Sequence, residues 1–183
     1  MDALLHSALA HVGPHPETGG FFAGLTHPWL GLDHLLAMVA VGLLAVLASD
    51  RKALWQLPAV FIGAMLVGGT LAFFGVPFLG VEALIAGSVV VLGLAVAVWK
   101  NVALLPAIGL VGLAGCFHGY AHIVEMHGGL AAYAAGMALG TAALHGLGIA
   151  LGLGMLQTRR ELPVRIAGAA LAVCFAASLL PWG

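Results

Sequence analysis

Two histidine-bearing stretches carry the chemistry of this chain. The first is HPWLGLDH, with His27, Asp33 and His34; the second is FHGYAHIVEMHG, running from Phe117 to Gly128. In the second, His118, His122 and Glu125 stand at i, i+4 and i+7. At about 100° per residue this places them within roughly 60° of one another, on one helix face. Two imidazoles one turn apart, with a carboxylate one turn further on, can hold a divalent cation. Imidazole with carboxylate suits nickel, cobalt, zinc or iron(II). Copper(I) would call for a thiolate or methionine cluster, and Met38, Met126 and Cys116 do not form one. In the first stretch, an aspartate within an apolar helix costs about 2.5–3.5 kcal/mol to insert unless it is paired or faces an aqueous site. Here a histidine stands beside it.

Nine histidines against six Lys and Arg is unusual in a chain of 183 residues that is 62% hydrophobic and 7% charged. Such a composition describes a membrane protein. The apolar blocks are about 20 residues long, enough to cross roughly 30 Å of hydrocarbon as helix. Six spans are expected: about 29–48, 54–74, 80–99, 102–122, 130–156 and 163–182. The expected fold is an all-α polytopic bundle of about six transmembrane helices. Residues 1–183 form one transmembrane domain, with 1–20 as a histidine-bearing outer segment and about 29–182 as the bundle. A half-helix is expected from about Thr18 to Thr26, ending before Pro28, which disfavours helix at His27.

The only Lys and Arg residues are Arg51, Lys52, Lys100, Arg159, Arg160 and Arg165, in breaks after the first, third and fifth spans. The positive-inside bias puts these breaks in the cytoplasm and both chain ends outside. The first ten residues lack the basic and apolar regions of an export signal. An N-out topology needs one, which is consistent with a leader removed ahead of Met1.

This orientation brings the two stretches together. Asp33 and His34 lie about one turn below the outer surface, and His118, His122 and Glu125 lie at the outer end of the fourth span. Glu82 opens the third span from the same side. His145 lies deeper, near the middle of the fifth span. His6, His11, His15 and His127 fall in exposed segments, where they are either solvated or assist metal capture. Bland readings exist for the others as well: His145 as an interhelical hydrogen bond, Glu82 as a headgroup-level carboxylate, Asp33 with His34 as a structural pair.

The glycines of the fifth span, Gly136, Gly140, Gly148 and Gly152, share one stripe and let helices approach closely. No phosphate-binding Gly-x4-Gly-Lys-Ser/Thr motif occurs, so the chain itself is not expected to bind ATP. A net charge of −1 without a basic stripe gives no reason to expect nucleic acid. Cys116 and Cys174 both lie in apolar stretches and read as buried small residues rather than a disulfide.

Taken together, His27-x5-Asp33-His34, the LLAMVAVGLLA that follows it, and FHGYAHIVE resemble the HupE/UreJ family of nickel and cobalt permeases associated with hydrogenase and urease maturation. The likeness covers nearly the whole chain. It implies that His27, Asp33 and His34 match one family motif, and that Phe117, His118, Gly119 and Glu125 match the other. Ile123 stands where the family usually has glycine, a departure that bears on helix packing more than on the ligand positions.

The leading expectation is a secondary permease of the bacterial inner membrane that imports nickel, with cobalt and zinc as other candidate ions and no cofactor. The ion would be captured by outer histidines such as His6 and His11. It would be dehydrated at the site of Asp33, His34, His118, His122 and Glu125, which His27 joins, and released past His145; Glu82 is a further candidate for a secondary metal path. Two other classes compete. An intramembrane zinc hydrolase would hold zinc by three ligands and activate water at a fourth position. A haem-binding subunit would pair histidines such as His34 and His118 across helices.

Overall fold

A computed structural model of the chain describes residues 20–124, 129–157 and 161–179. Among these the structure is helical throughout, apart from one isolated bridge between Ala48 and Val102. The helices are α1 (Phe21–Leu30), α2 (Leu32–Leu47), α3 (Ala53–Phe73), α4 (Val81–Val98), α5 (Leu104–Val124), α6 (Leu130–Leu156) and α7 (Leu162–Ser178). Helices α3 to α6 are each long and apolar enough to cross a bilayer. Helices α1 and α2 pass that test as a pair bent by 83°, and α7 is a shorter apolar helix of 17 residues, about 25 Å long. Counting the bent pair as one gives five candidate crossings among the described residues of a polytopic membrane protein, and the shorter α7 stands where the sixth was expected.

The first crossing departs from expectation. Helix α1 does not stop before Pro28; it runs through it to Leu30, and the break falls at Gly31, whose φ of −89° and ψ of 123° are extended. Pro28 is buried, and its ring lies so close to Gly140 of α6 that a Cβ there would meet it at 2.9 Å. Packing of the ring against α6 therefore overrides the local preference of the residue before proline. His27 is in consequence helical, on a short element turned sharply across the top of α2.

Close contact between helix backbones organises the rest. Helix α1 lies on α6, α3 on α5, and α4 on α7, with α2 between α4 and α6. At Gly136 a Cβ would overlap the Phe21 carbonyl of α1, and at Gly119 it would overlap the Met65 carbonyl of α3. Without such positions the helices could not meet, because burial against lipid tails supplies no hydrophobic drive. Large apolar side chains such as Leu79, Val98 and Leu105 remain exposed on the outside of the bundle, as a lipid-facing surface requires.

The loops sort by end. Ser49 N–H donates to the Val102 carbonyl, and the Arg165 guanidinium reaches the Trp99 carbonyl at 3.1 Å, so the breaks after α2, α4 and α6 gather at one end. This is the end that carries Arg51, Lys52 and Lys100, in agreement with the charge rule; Arg159 and Arg160 lie outside the described residues. At the opposite end, Tyr120 Oη donates to the Val76 carbonyl at 2.9 Å, tying the α3–α4 loop to α5.

Candidate metal centre

Helix α5 buries a stripe that begins with Ala107, Val111 and Ala114 and continues, one turn at a time, into His118 and His122. Both histidines are fully enclosed, and His34 on the facing side of α2 is 4% exposed. Imidazoles thus occupy positions that an apolar bundle would fill with leucine. The bend at Gly31 brings in the third element, placing the half-buried His27 over them.

One ring nitrogen from each of His27, His34 and His122 lies within 4.8 Å of the others. An ion sits about 2.0–2.1 Å from imidazole nitrogen, so shifts of under about 1 Å would draw all three onto it. The ring centroids are 4.7 Å apart for His27 and His122, 4.4 Å for His34 and His122, and 5.6 Å for His27 and His34. His118 lies one turn deeper, its centroid 5.0 Å from that of His34. The His34 and His118 rings touch edge to face, at 84°, which leaves no space between them for a haem macrocycle.

Hydrogen bonds determine which nitrogens are available. His34 Nδ1–H donates to Asp33 Oδ1 at 2.7 Å, and the same oxygen accepts the His34 backbone N–H at 2.8 Å. His118 Nδ1–H donates to the Ala114 carbonyl at 2.9 Å. Since carboxylate and carbonyl oxygens only accept, both rings carry a proton on Nδ1, and Nε2 is the nitrogen left to act as a ligand. Among the described residues, neither Nε2 meets a hydrogen-bonding partner, nor does either nitrogen of His122. Leaving a buried polar atom unpaired costs about 1–3 kcal/mol. Several within one cluster, on a residue type that ligates divalent transition metals, fit a cation.

Asp33 is thereby assigned differently from the histidines. Its Oδ1 is engaged by His34, in the carboxylate–histidine arrangement that orients a metal ligand and raises its basicity. Glu82 is exposed in the first turn of α4 and is not part of the three-histidine group. His145 stands below the cluster on α6, its Nδ1–H donated to the Met38 carbonyl at 2.9 Å. Glu125, His6, His11, His15 and His127 lie outside the described residues.

Two residues at the site were not singled out from the sequence. The Phe61 ring stands between His118 and His145, and the Tyr133 ring is 6.2 Å from that of His27. Phe61 carries no signal beyond being one aromatic in an apolar span. Tyr133 had one: it is one of only two tyrosines in the chain, and it lies within a membrane helix.

Comparison with known proteins agrees with the layout. Residues 1–178 match the family model described as HupE / UreJ protein. The protein HupE of Rhizobium leguminosarum bv. viciae is 40% identical over 180 residues, covering 97% of this chain and 93% of that relative. No solved structure matches. The buried histidine cluster, the helical membrane architecture and this full-length likeness lead to one conclusion: the chain belongs to the HupE/UreJ family, a transporter-type family associated with nickel and cobalt in hydrogenase and urease systems.

Proposed function

We propose that the protein is a secondary permease that imports nickel, with cobalt as an alternative substrate, across a bacterial inner membrane. The observation that carries this reading is the group His27, His34 and His122, with one nitrogen of each within 4.8 Å of the others at the non-basic end of the bundle. His27 is the outermost and the most exposed of the three, so it meets the ion first. His34 and His122 replace part of the hydration shell inside the bundle, where their unpaired nitrogens lower the cost of losing water. His118 offers the next nitrogen one turn deeper. Asp33 holds His34 in its ligating tautomer, and its negative charge offsets that of the incoming cation. Glu125, three residues after His122 in the sequence, completes the ligand set in this reading.

Movement inward needs no nucleotide. An inside-negative potential of 100 mV favours entry by about 2.3 kcal/mol per charge, and so by about twice that for a divalent ion. The three-histidine set would also suit a hydrolytic zinc, but the family is one of transporters and supports carriage rather than catalysis.

Reconstituted vesicles test the proposal. Protein in liposomes with a trapped metal-sensitive dye should admit nickel at a rate that rises with inside-negative potential. Uptake should fall as external pH is lowered, because protons compete for the imidazole nitrogens. Vesicles that admit no nickel or cobalt would refute it.

A further inference from the structure

Below the outer cluster the imidazoles do not stop. His27, His122, His34 and His118 form a chain of neighbouring rings, and the next ring inward from His118 is Phe61, with centroids 5.7 Å apart. On the other side of Phe61, at 5.1 Å and 81°, stands His145. Twelve residues separate His145 from Tyr133, the α6 residue level with His27, which is about 18 Å of helix. His145 also bonds to Met38, one turn inward of His34 on α2. It is therefore the innermost member of the series.

His145 is 1% exposed. Its Nδ1–H is donated to the Met38 carbonyl, so its Nε2 is a bare acceptor, and among the described residues that nitrogen meets no hydrogen-bonding partner. A residue selected only to clip α6 to α2 would need one donor. The donor alone would suffice for that clip, and the buried second nitrogen, without a partner among the described residues, only adds a cost. The second nitrogen has no structural use, but it does have a coordinating one. The surroundings are not wholly apolar either, since Thr141, one turn outward on the same helix, donates to Met65 Sδ at 3.8 Å.

We propose that His145 Nε2 is a second station for a divalent transition-metal cation, separated from the outer histidines by the phenyl ring of Phe61. This rests on the transport reading above. The ring of Phe61 touches both His118 and His145 but can ligate nothing, so it divides the histidine series into an outer site and an inner site. An ion passes from one to the other when that ring turns aside. Two positions divided in this way let each bind firmly enough to replace water yet release the ion to the next.

The decisive variant is His145→Asn, compared with wild type and His145→Leu. Asparagine keeps a donor for the Met38 carbonyl and removes Nε2; leucine removes both nitrogens. Calorimetry with nickel reads the outer site, and dye-loaded vesicles read transport. For His145→Asn, outer-site affinity should stay within about twofold while uptake falls by roughly tenfold or more, as expected when a multi-site path loses one site. His145→Leu should be equally slow. Normal uptake by His145→Asn, with or without a defect in His145→Leu, would make His145 a structural clip and overturn the proposal. Loss of outer-site binding in His145→Asn would overturn it too, because the two positions would not be separate. Wild-type vesicles without uptake would instead bring down the transport reading, and this inference with it. On wild-type protein, nickel-soaked crystals should show a second, weaker anomalous peak beside His145 Nε2. No peak there at saturating nickel would refute the station whatever the variants do.

Discussion

At the basic end of the bundle, the Arg165 guanidinium donates to the carbonyls of Val96, Ala97 and Trp99 and pairs with Glu161 at 2.6 Å. It satisfies the end of α4, whose last carbonyls have no helical partner. At the other end, His34, His118 and His122 bury four ring nitrogens that meet no protein partner among the described residues. Both regions place polar groups inside an apolar bundle, yet only one completes its own hydrogen bonding. The first closes its own hydrogen bonds, and the second leaves nitrogens open, as the proposed ion site requires. Stability and metal binding should therefore respond to opposite substitutions.

The largest effect is expected from His122→Leu. It removes two unpaired buried nitrogens and keeps an apolar volume, so thermal stability in the absence of metal should hold or rise. Nickel binding by calorimetry should disappear. A variant that lost stability but kept binding would reverse the contrast drawn here.

Asp33→Asn should come next. The amide oxygen can still accept from His34 Nδ1, so geometry survives while the charge is lost. Removing such a partner of a ligating histidine typically weakens metal affinity by about 10–100-fold. Vesicle uptake at limiting nickel should fall accordingly, and unchanged uptake would show that the charge of Asp33 does not matter.

Arg165→Met sharpens the other side. Hydrogen bonds to charged groups contribute about 1.5–3 kcal/mol net, so thermal denaturation should shift downward with nickel affinity unaltered. Glu161→Gln should do far less, below about 1 kcal/mol, since Glu161 is exposed and its pairing is screened. If Arg165→Met changed nickel affinity as much as Asp33→Asn, the two ends would not be independent.

How much of this was legible in the sequence depends on the kind of signal. The spans were, because a bilayer imposes length and apolarity directly; α6 falls on the expected 130–156. So was the meeting of the two histidine stretches, which follows from helix direction once the basic breaks fix the inside. The Gly31 break was not. Pro28 looked like the stop, and only its packing on Gly140, a contact more than a hundred residues away in sequence, shows why the helix continues. The division of labour between Asp33 and His34 was hidden for a related reason: adjacency in sequence does not say that Oδ1 turns back onto Nδ1. Phe61 was invisible because its meaning lies in which rings flank it. Glu82 shares the outer end, as expected, but depth alone did not say that it stands exposed on α4, apart from the histidines.

The central claim is that His27, His34 and His122 together bind the ion. X-ray absorption at the nickel edge of the loaded protein tests it most directly, read against the His122→Leu variant. The account predicts a shell of imidazole nitrogens, with the multiple scattering that such rings produce, and its loss in the variant. A shell of oxygen ligands alone, or an imidazole signature that His122→Leu leaves unchanged, would contradict it.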